Sequence, residues 1–180
     1  MEQKVSNYFR LMNGYVPIFS SFEGGLYEME LTRAAIHSFA THCSKLKPEI
    51  KGSGNQKLER TLQFKPNRIM DAKKYLYRLA TVYMTDNTAF VAPLYDNFFE
   101  IIGFYPLLTS KCRIVDYDKK RYLRYDFGNG QHGSVELENV GIMNQFQYRD
   151  ELFGESNACM RPTMDLMNVQ NQGIIEGIKN

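Results

Sequence analysis

The string Gly128-Asn129-Gly130-Gln131-His132-Gly133 comes nearest to a chemical motif in this 180-residue chain, because it satisfies GxGxxG literally. Glycines at that spacing let backbone amides approach a phosphate, provided a strand precedes them and a helix N-terminus follows. Here Ser134-Val135-Glu136-Leu137 follows, and it reads as a strand. The spacing therefore predicts a turn between two strands. His37 and His42 are five residues apart, which on a helix separates them by about 140 degrees, so one face cannot present both to a metal. Packing is their expected role. His132 sits in the glycine-rich turn, away from any carboxylate or thiol cluster, and is expected in solvent.

Cys43, Cys112 and Cys159 are odd in number, widely spaced and form no CxxC pair, so they indicate neither a disulfide framework nor a zinc site. Reduced thiols in a cytoplasm fit best. The chain contains no GxSxG elbow, HExxH pair or Walker-type GKT/S string, and Cys43 beside His42 is not an assembled nucleophile and base. The reading is non-enzymatic, with no catalytic residue, cofactor or metal.

Residues 111–124 carry Lys111, Arg113, Lys119, Lys120, Arg121 and Arg124 against Asp116 and Asp118, a local excess of four positive charges. Tyr117, Tyr122 and Tyr125 alternate with them. Such a hairpin has two readings. It is a solvated, half-buried pair of strands with its rings in the core, or a single-stranded nucleic-acid module in which Lys119, Lys120, Arg121 and Arg124 meet phosphates while the tyrosines stack on bases. The whole chain has 22 basic and 20 acidic side chains, so its net charge of +2 lacks the strong excess of a protein that grips nucleic acid by its backbone.

The elements that must position these residues follow from pattern and punctuation. Hydrophobic residues make up 43% and charged residues 23%, enough to build one core at this length. No apolar run approaches the roughly 18 residues of a membrane-spanning helix, and Met1 to Arg10 lacks the apolar stretch of a signal peptide. Residues 1–25 mix turn formers with aromatics and read as an extended arm. Leu31, Ala35, Phe39, His42 and Leu46 recur at helical steps, which predicts a helix over 28–47 with that stripe buried. A loop follows Pro48. Leu58 to Phe64 makes a short helix that stops before Pro66. Asp71 caps a longer helix that buries Ala72, Tyr75, Leu76, Leu79, Ala80 and Tyr83.

Beyond Asn87 the texture becomes short β-prone runs at 88–94, 101–105, 111–117, 121–127, 134–137 and 140–144. Asp116 to Arg121 reads as a hairpin tip, and Pro93 suits an edge strand. A last helix is predicted from Asn157 to about Glu176, with Met160, Met164, Met167 and Ile174 or Ile175 at helical spacing. It gives the impression of a chain cut off within an element. Helices flanking a small, mostly antiparallel sheet, without βαβ alternation, define an α+β fold.

Taken in order, these segments resemble the N-terminal half of portal proteins from tailed bacteriophages and prophages. The resemblance covers about residues 25–176. It begins with the helix from Tyr27 to Leu46 and continues through Leu58 to Asn67, ending in the Lys65-Pro66-Asn67 string. Thr85-Asp86-Asn87-Thr88-Ala89-Phe90 is similar to the family's Gly-Asn-Ala-Tyr pattern, with Asp86 in the glycine position. Pro106-Leu107 and the strands near Arg113 and Tyr122 follow. Val140-Gly141-Ile142-Met143 occupies the place of a strand in which the family usually has a histidine. Asp150 to Ser156 is similar to the family's Gly-x-Ser turn into a helix, with Asn157 where proline is usual.

The resemblance implies a portal wing-like domain over 26–155 and, at 156–180, the start of a helix leading toward stem and clip regions beyond Asn180. It implies a ring subunit, commonly of twelve copies, at one capsid vertex of a virion, assembled in the host cytoplasm. Double-stranded DNA would pass through the ring. Terminase, the major capsid protein or scaffold, and a head-tail adaptor would be partners, with no membrane. Pro66, Asn67, Asn87, Gly154 and Ser156 are the family-like positions, expected to shape turns and helix starts rather than to contact a substrate.

Overall fold

The computed structural model describes Tyr27 and residues 30–52 and 55–179. The arm expected at 1–25 lies outside the described residues. Among the described residues three helices come first: α1 (Glu30–Cys43), α2 (Gln56–Phe64) and α3 (Ala72–Asp86). Six strands follow as β1 (Thr88–Tyr95), β2 (Ile101–Leu107), β3 (Cys112–Tyr117), β4 (Lys120–Gly128), β5 (Gln131–Glu136) and β6 (Gly141–Asn144). Helix α4 (Arg161–Lys179) closes the described chain. The fold class is α+β.

Helix starts are set by side chains that satisfy backbone N–H groups left free in a first turn. Asn55 accepts from the Lys57 amide, and Asp71 accepts from the Lys74 amide at 2.8 Å. Ser156 caps a single 3-10 turn at Asn157–Met160, which then passes into α4. Every α4 side chain whose burial is described is exposed.

The β-prone run forms two antiparallel sheets of three strands rather than one, with orders β2-β1-β6 and β3-β4-β5. A 3-10 turn at Thr109–Lys111 redirects the chain between them. Along β4 burial alternates, so the second sheet turns one face inward, whereas the central strand β1 is buried on both faces. Phe90 and Ala92 from β1, Tyr105 and Leu107 from β2, Cys112 from β3, and Leu123 and Tyr125 from β4 share one core with Met70, Tyr75 and Val140. Burying Phe90 completely stabilises the fold by roughly 2–3 kcal/mol.

Three further expectations are corrected. Pro93 lies in β1, the central strand of its sheet, but β6 pairs only with Thr88–Val91. Pro93 therefore sits past the end of β6, where one side of β1 has no ladder to lose. The stripe expected to be buried on α1 faces solvent: Leu31, Ala35, Phe39, His42 and Leu46 are exposed or outside the helix, whereas Thr32, Ile36 and Ala40 are buried. Helix α1 carries two apolar stripes, and close approach to α3 selects the one built on smaller side chains. The helix also ends at Cys43, short of Lys45 and Lys47.

Candidate functional site

Side-chain hydrogen bonds from several distant segments converge at the exit of α3. The last carbonyls of a helix have no partner within it and must find one elsewhere. Asn87 ends α3 in the left-handed conformation, φ 54 and ψ 8, a geometry asparagine tolerates better than most residues. That single residue turns the chain straight into β1. Its side chain is buried, so each polar atom needs a partner.

Those partners come from distant parts of the sequence. The Asn87 amide nitrogen donates to the Glu155 carbonyl at 2.6 Å and to Asn157 Oδ1 at 2.7 Å, while its oxygen accepts from Gln145 Nε2 at 2.6 Å. Gln145 also donates to the Tyr83 carbonyl at 3.3 Å, and Asn157 donates to the Thr85 carbonyl at 3.0 Å. The two side chains thus finish the C-terminus of α3. Gly154 N donates to Thr88 Oγ1 at 2.7 Å, and Thr109 Oγ1 donates to the Thr88 carbonyl at 2.6 Å. One buried polar cluster joins α3, β1, the end of β6, the 3-10 turn at Thr109–Lys111 and the entry to α4.

Gly154 is required there by space. A Cβ at this position would lie closer than 3.0 Å to the backbone oxygens of Asn87 and Gln145 and to the Cβ of Asn87. A second clip involves Pro66 and Asn67. Phe104 N donates to the Pro66 carbonyl at 2.8 Å, and Asn67 Nδ2 donates to the Phe104 carbonyl at 3.0 Å. Asn67 Oδ1 accepts from Ile69 N and Met70 N. This clip ties the segment after α2 to the outer edge of β2. The structure therefore brings Asn87, Gly154 and Ser156 to one junction and places Pro66 and Asn67 at another.

Asp86 precedes the junction. Burial pushes its carboxyl above the ordinary value. Burial, with the nearby Asp86 charge, pushes the Cys112 thiol up to about 12. A reactive thiol is shifted in the opposite direction. Cys112 is a core side chain donating to the Leu108 carbonyl at 3.3 Å. His37 Nδ1 lies 2.8 Å from the Tyr77 hydroxyl, linking α1 to α3, and His42 Nδ1 lies 2.8 Å from the Ser38 carbonyl of its own helix. Among the described residues, no three His, Cys, Asp or Glu side chains are close enough to hold a metal ion. Nor is any helix among them long and apolar enough to cross a membrane.

This arrangement of helices and sheets has known counterparts. The fold is shared with a chain in the neck of gene transfer agent particles. The neck of an empty gene transfer agent particle, computed with C6 symmetry, contains a chain that superposes with a TM-score of 0.69 at 11% identity, over 98% of this chain and 52% of that one. A chain in the virion of the native gene transfer agent particle gives 0.66 at 12% identity, covering 98% of this chain and 51% of that one. In the native neck computed with C12 symmetry the TM-score is 0.65 at 12% identity, with the same coverages. This chain spans about half the length of each. No protein-family model and no curated protein sequence matches it.

The basic hairpin is distributed rather than focused. Asp118 and Lys119 both have positive φ and form the tight tip joining β3 to β4. Strand alternation and register put Arg113 opposite Arg124 and Val115 opposite Tyr122 on the outer face, whereas Arg121 follows the opposite alternation. Lys120 pairs with Glu136 at 2.9 Å, which raises its pKa and lowers that of Glu136. Tyr125 is buried against Phe127 with ring centroids 4.9 Å apart. The three tyrosines thus do not form one stacking surface. The GxGxxG string is the turn between β4 and β5, with Gly128, Asn129 and Gly130 all at positive φ.

Sequence reasoning missed Gln145, Thr88 and Thr109, and noted Asn157 only as a departure from the usual proline. That departure was the available signal. Asparagine supplies the amide that bonds Asn87 and the Thr85 carbonyl, and proline has no such group.

Proposed function

We propose that this chain is the wing-like portion of a portal-type subunit, a ring component at the junction of head and neck in a phage-like particle. The observation that carries the reading is the likeness over 98% of the chain to a chain in a gene transfer agent neck computed with C12 symmetry. The ordered resemblance of Pro66, Asn67, Asn87, Gly154 and Ser156 to portal positions supports it from an independent direction. The role is structural and non-catalytic. Its partners are further copies of itself, double-stranded DNA passing through the ring, the terminase that drives packaging, the capsid protein or scaffold, and a head-tail adaptor.

Physical features support such a role. A closed ring needs two different patches on every subunit, one meeting the other around the circle. The cluster around Asn87 fixes the start of α4 relative to α3 and β1, which lets a ring subunit hold its helices at a repeatable angle. A net charge of +2 suits a conduit through which DNA slides, since many fixed phosphate contacts bind strongly and in a salt-dependent manner. The test is electron microscopy of the intact gene product and of particles carrying it. Closed rings, and label at a single vertex, are expected. Solitary subunits under all assembly conditions, with no label on particles, would overturn the reading.

A further inference from the structure

The turn joining β1 to β2 is an aromatic projection. Phe98 is 84% exposed and Phe99 56%. The tip is nonetheless tightly ordered by its own hydrogen bonds. Asp96 Oδ1 accepts from Phe98 N at 2.8 Å and Glu100 N at 2.9 Å, and Asp96 N donates to the Glu100 carbonyl at 3.0 Å. Phe99 sits at φ 64, a left-handed conformation costing a bulky side chain about 1–2 kcal/mol. The chain thus spends strain to hold two phenyl rings in water, between the carboxylates of Asp96 and Glu100.

A groove of complementary character lies along α2. Its volume is about 510 Å³, and Lys57, Arg60, Phe64 and Lys65 line it together with Gln56 and Thr61. Phe64 is 73% exposed, and among the described residues no acidic side chain lines the groove. One patch therefore offers aromatic rings flanked by two negative charges, and the other an aromatic ring among three positive ones. With Phe98 and Phe64 both exposed, the tip does not occupy the groove of its own chain.

We propose that the β1–β2 tip of one copy seats in the α2 groove of the next, a contact that rests on the ring reading above. It is heterologous, as a closed ring requires. The rings supply the desolvated centre of the interface, while Glu100 facing Arg60 and Lys57 fixes orientation and excludes wrong registers.

The test uses the intact gene product, with assembly followed by mass photometry and folding by thermal melting. Phe98→Ser and Glu100→Arg alter exposed groups, so their melting temperatures should match the wild type. Each should raise the concentration needed for half-assembly by about tenfold or more. Arg60→Glu should do the same, and combining it with Glu100→Arg should restore much of the loss. In a Cys159→Ser background, oxidation of mixed Phe98→Cys and Arg60→Cys proteins should give a disulfide-linked pair that neither protein gives alone. A wild type that forms rings, with variants assembling equally well and no mixed pair, would overturn the contact and leave the ring reading standing. A wild type that forms no rings would overturn both.

Discussion

Replacing Gly154 with alanine puts one methyl group where the surrounding backbone leaves no room for it. The new Cβ would lie inside the contact distance of two backbone oxygens, those of Asn87 and Gln145, which belong to different segments. Ordinary carbon–oxygen contacts begin near 3.3 Å, so the backbone has to retreat by roughly 1 Å. Neither oxygen is the far end of a flexible side chain. Retreat draws Gly154 N away from Thr88 Oγ1, and that bond contributes about 1 kcal/mol. It also loads the bond from Asn87 to the adjacent Glu155 carbonyl. Overpacking of this kind costs about 1–3 kcal/mol, so with the lost hydrogen bond the expected destabilisation is about 3 kcal/mol. For a domain of this size that lowers Tm by about 6–12 °C. Urea denaturation monitored by circular dichroism measures it directly. Gly173→Ala is the control, because a Cβ there meets nothing within 4 Å and a helical glycine is replaced, giving a stability change between neutral and a gain of about 1 kcal/mol. A loss below about 1 kcal/mol for Gly154→Ala would refute the claim that the junction is close-packed.

Further outcomes are expected from the same region. Asn87→Ala removes three side-chain hydrogen bonds and puts a Cβ-bearing residue without asparagine's local bonding in a left-handed position, whereas Asn87→Gly removes the bonds alone. Equilibrium unfolding should therefore show both destabilised and alanine worse by about 1 kcal/mol; equal losses would assign the whole effect to the bonds. Asp86→Asn should stabilise the protein at neutral pH. The folded state raises this carboxyl above its unfolded value, so the folded chain binds the proton more tightly and the charged form is penalised. That penalty is present above the folded pKa and fades as pH falls through it toward the unfolded value. The advantage of the variant should shrink over the same window, and urea midpoints collected across the acidic range would expose a constant advantage as a contradiction.

Much of the architecture was readable locally, because the forces that set it act over a few residues. Asp71 and Ser156 are recognisable caps, Pro66 stops α2, and β-prone runs separated by turn formers fall on the six strands. The Asp118-Lys119 tip and the turn at Gly128–Gly130 are local as well. Such signals need only backbone sterics and one or two nearby side chains. Periodicity also identified α1, but the stripe it marked for burial, Leu31, Ala35, Phe39, His42 and Leu46, is exposed or lies past the helix end.

Which stripe α1 buries was decided elsewhere. Among the described residues, packing against α3 sets Thr32, Ile36 and Ala40 apart from their neighbours, and that contact joins residues far apart in the chain. The division of six strands into two sheets has the same origin, since pairing energies depend on partners and not on strand propensity alone. Asn87 and Gly154 stand out in the sequence only as turn positions and Gln145 not at all, because up to 73 positions separate the hydrogen-bonded partners of this junction. Local pattern determined the elements and their ends, while the buried polar junction exists only after folding removes water from it and leaves each amide one set of partners to choose.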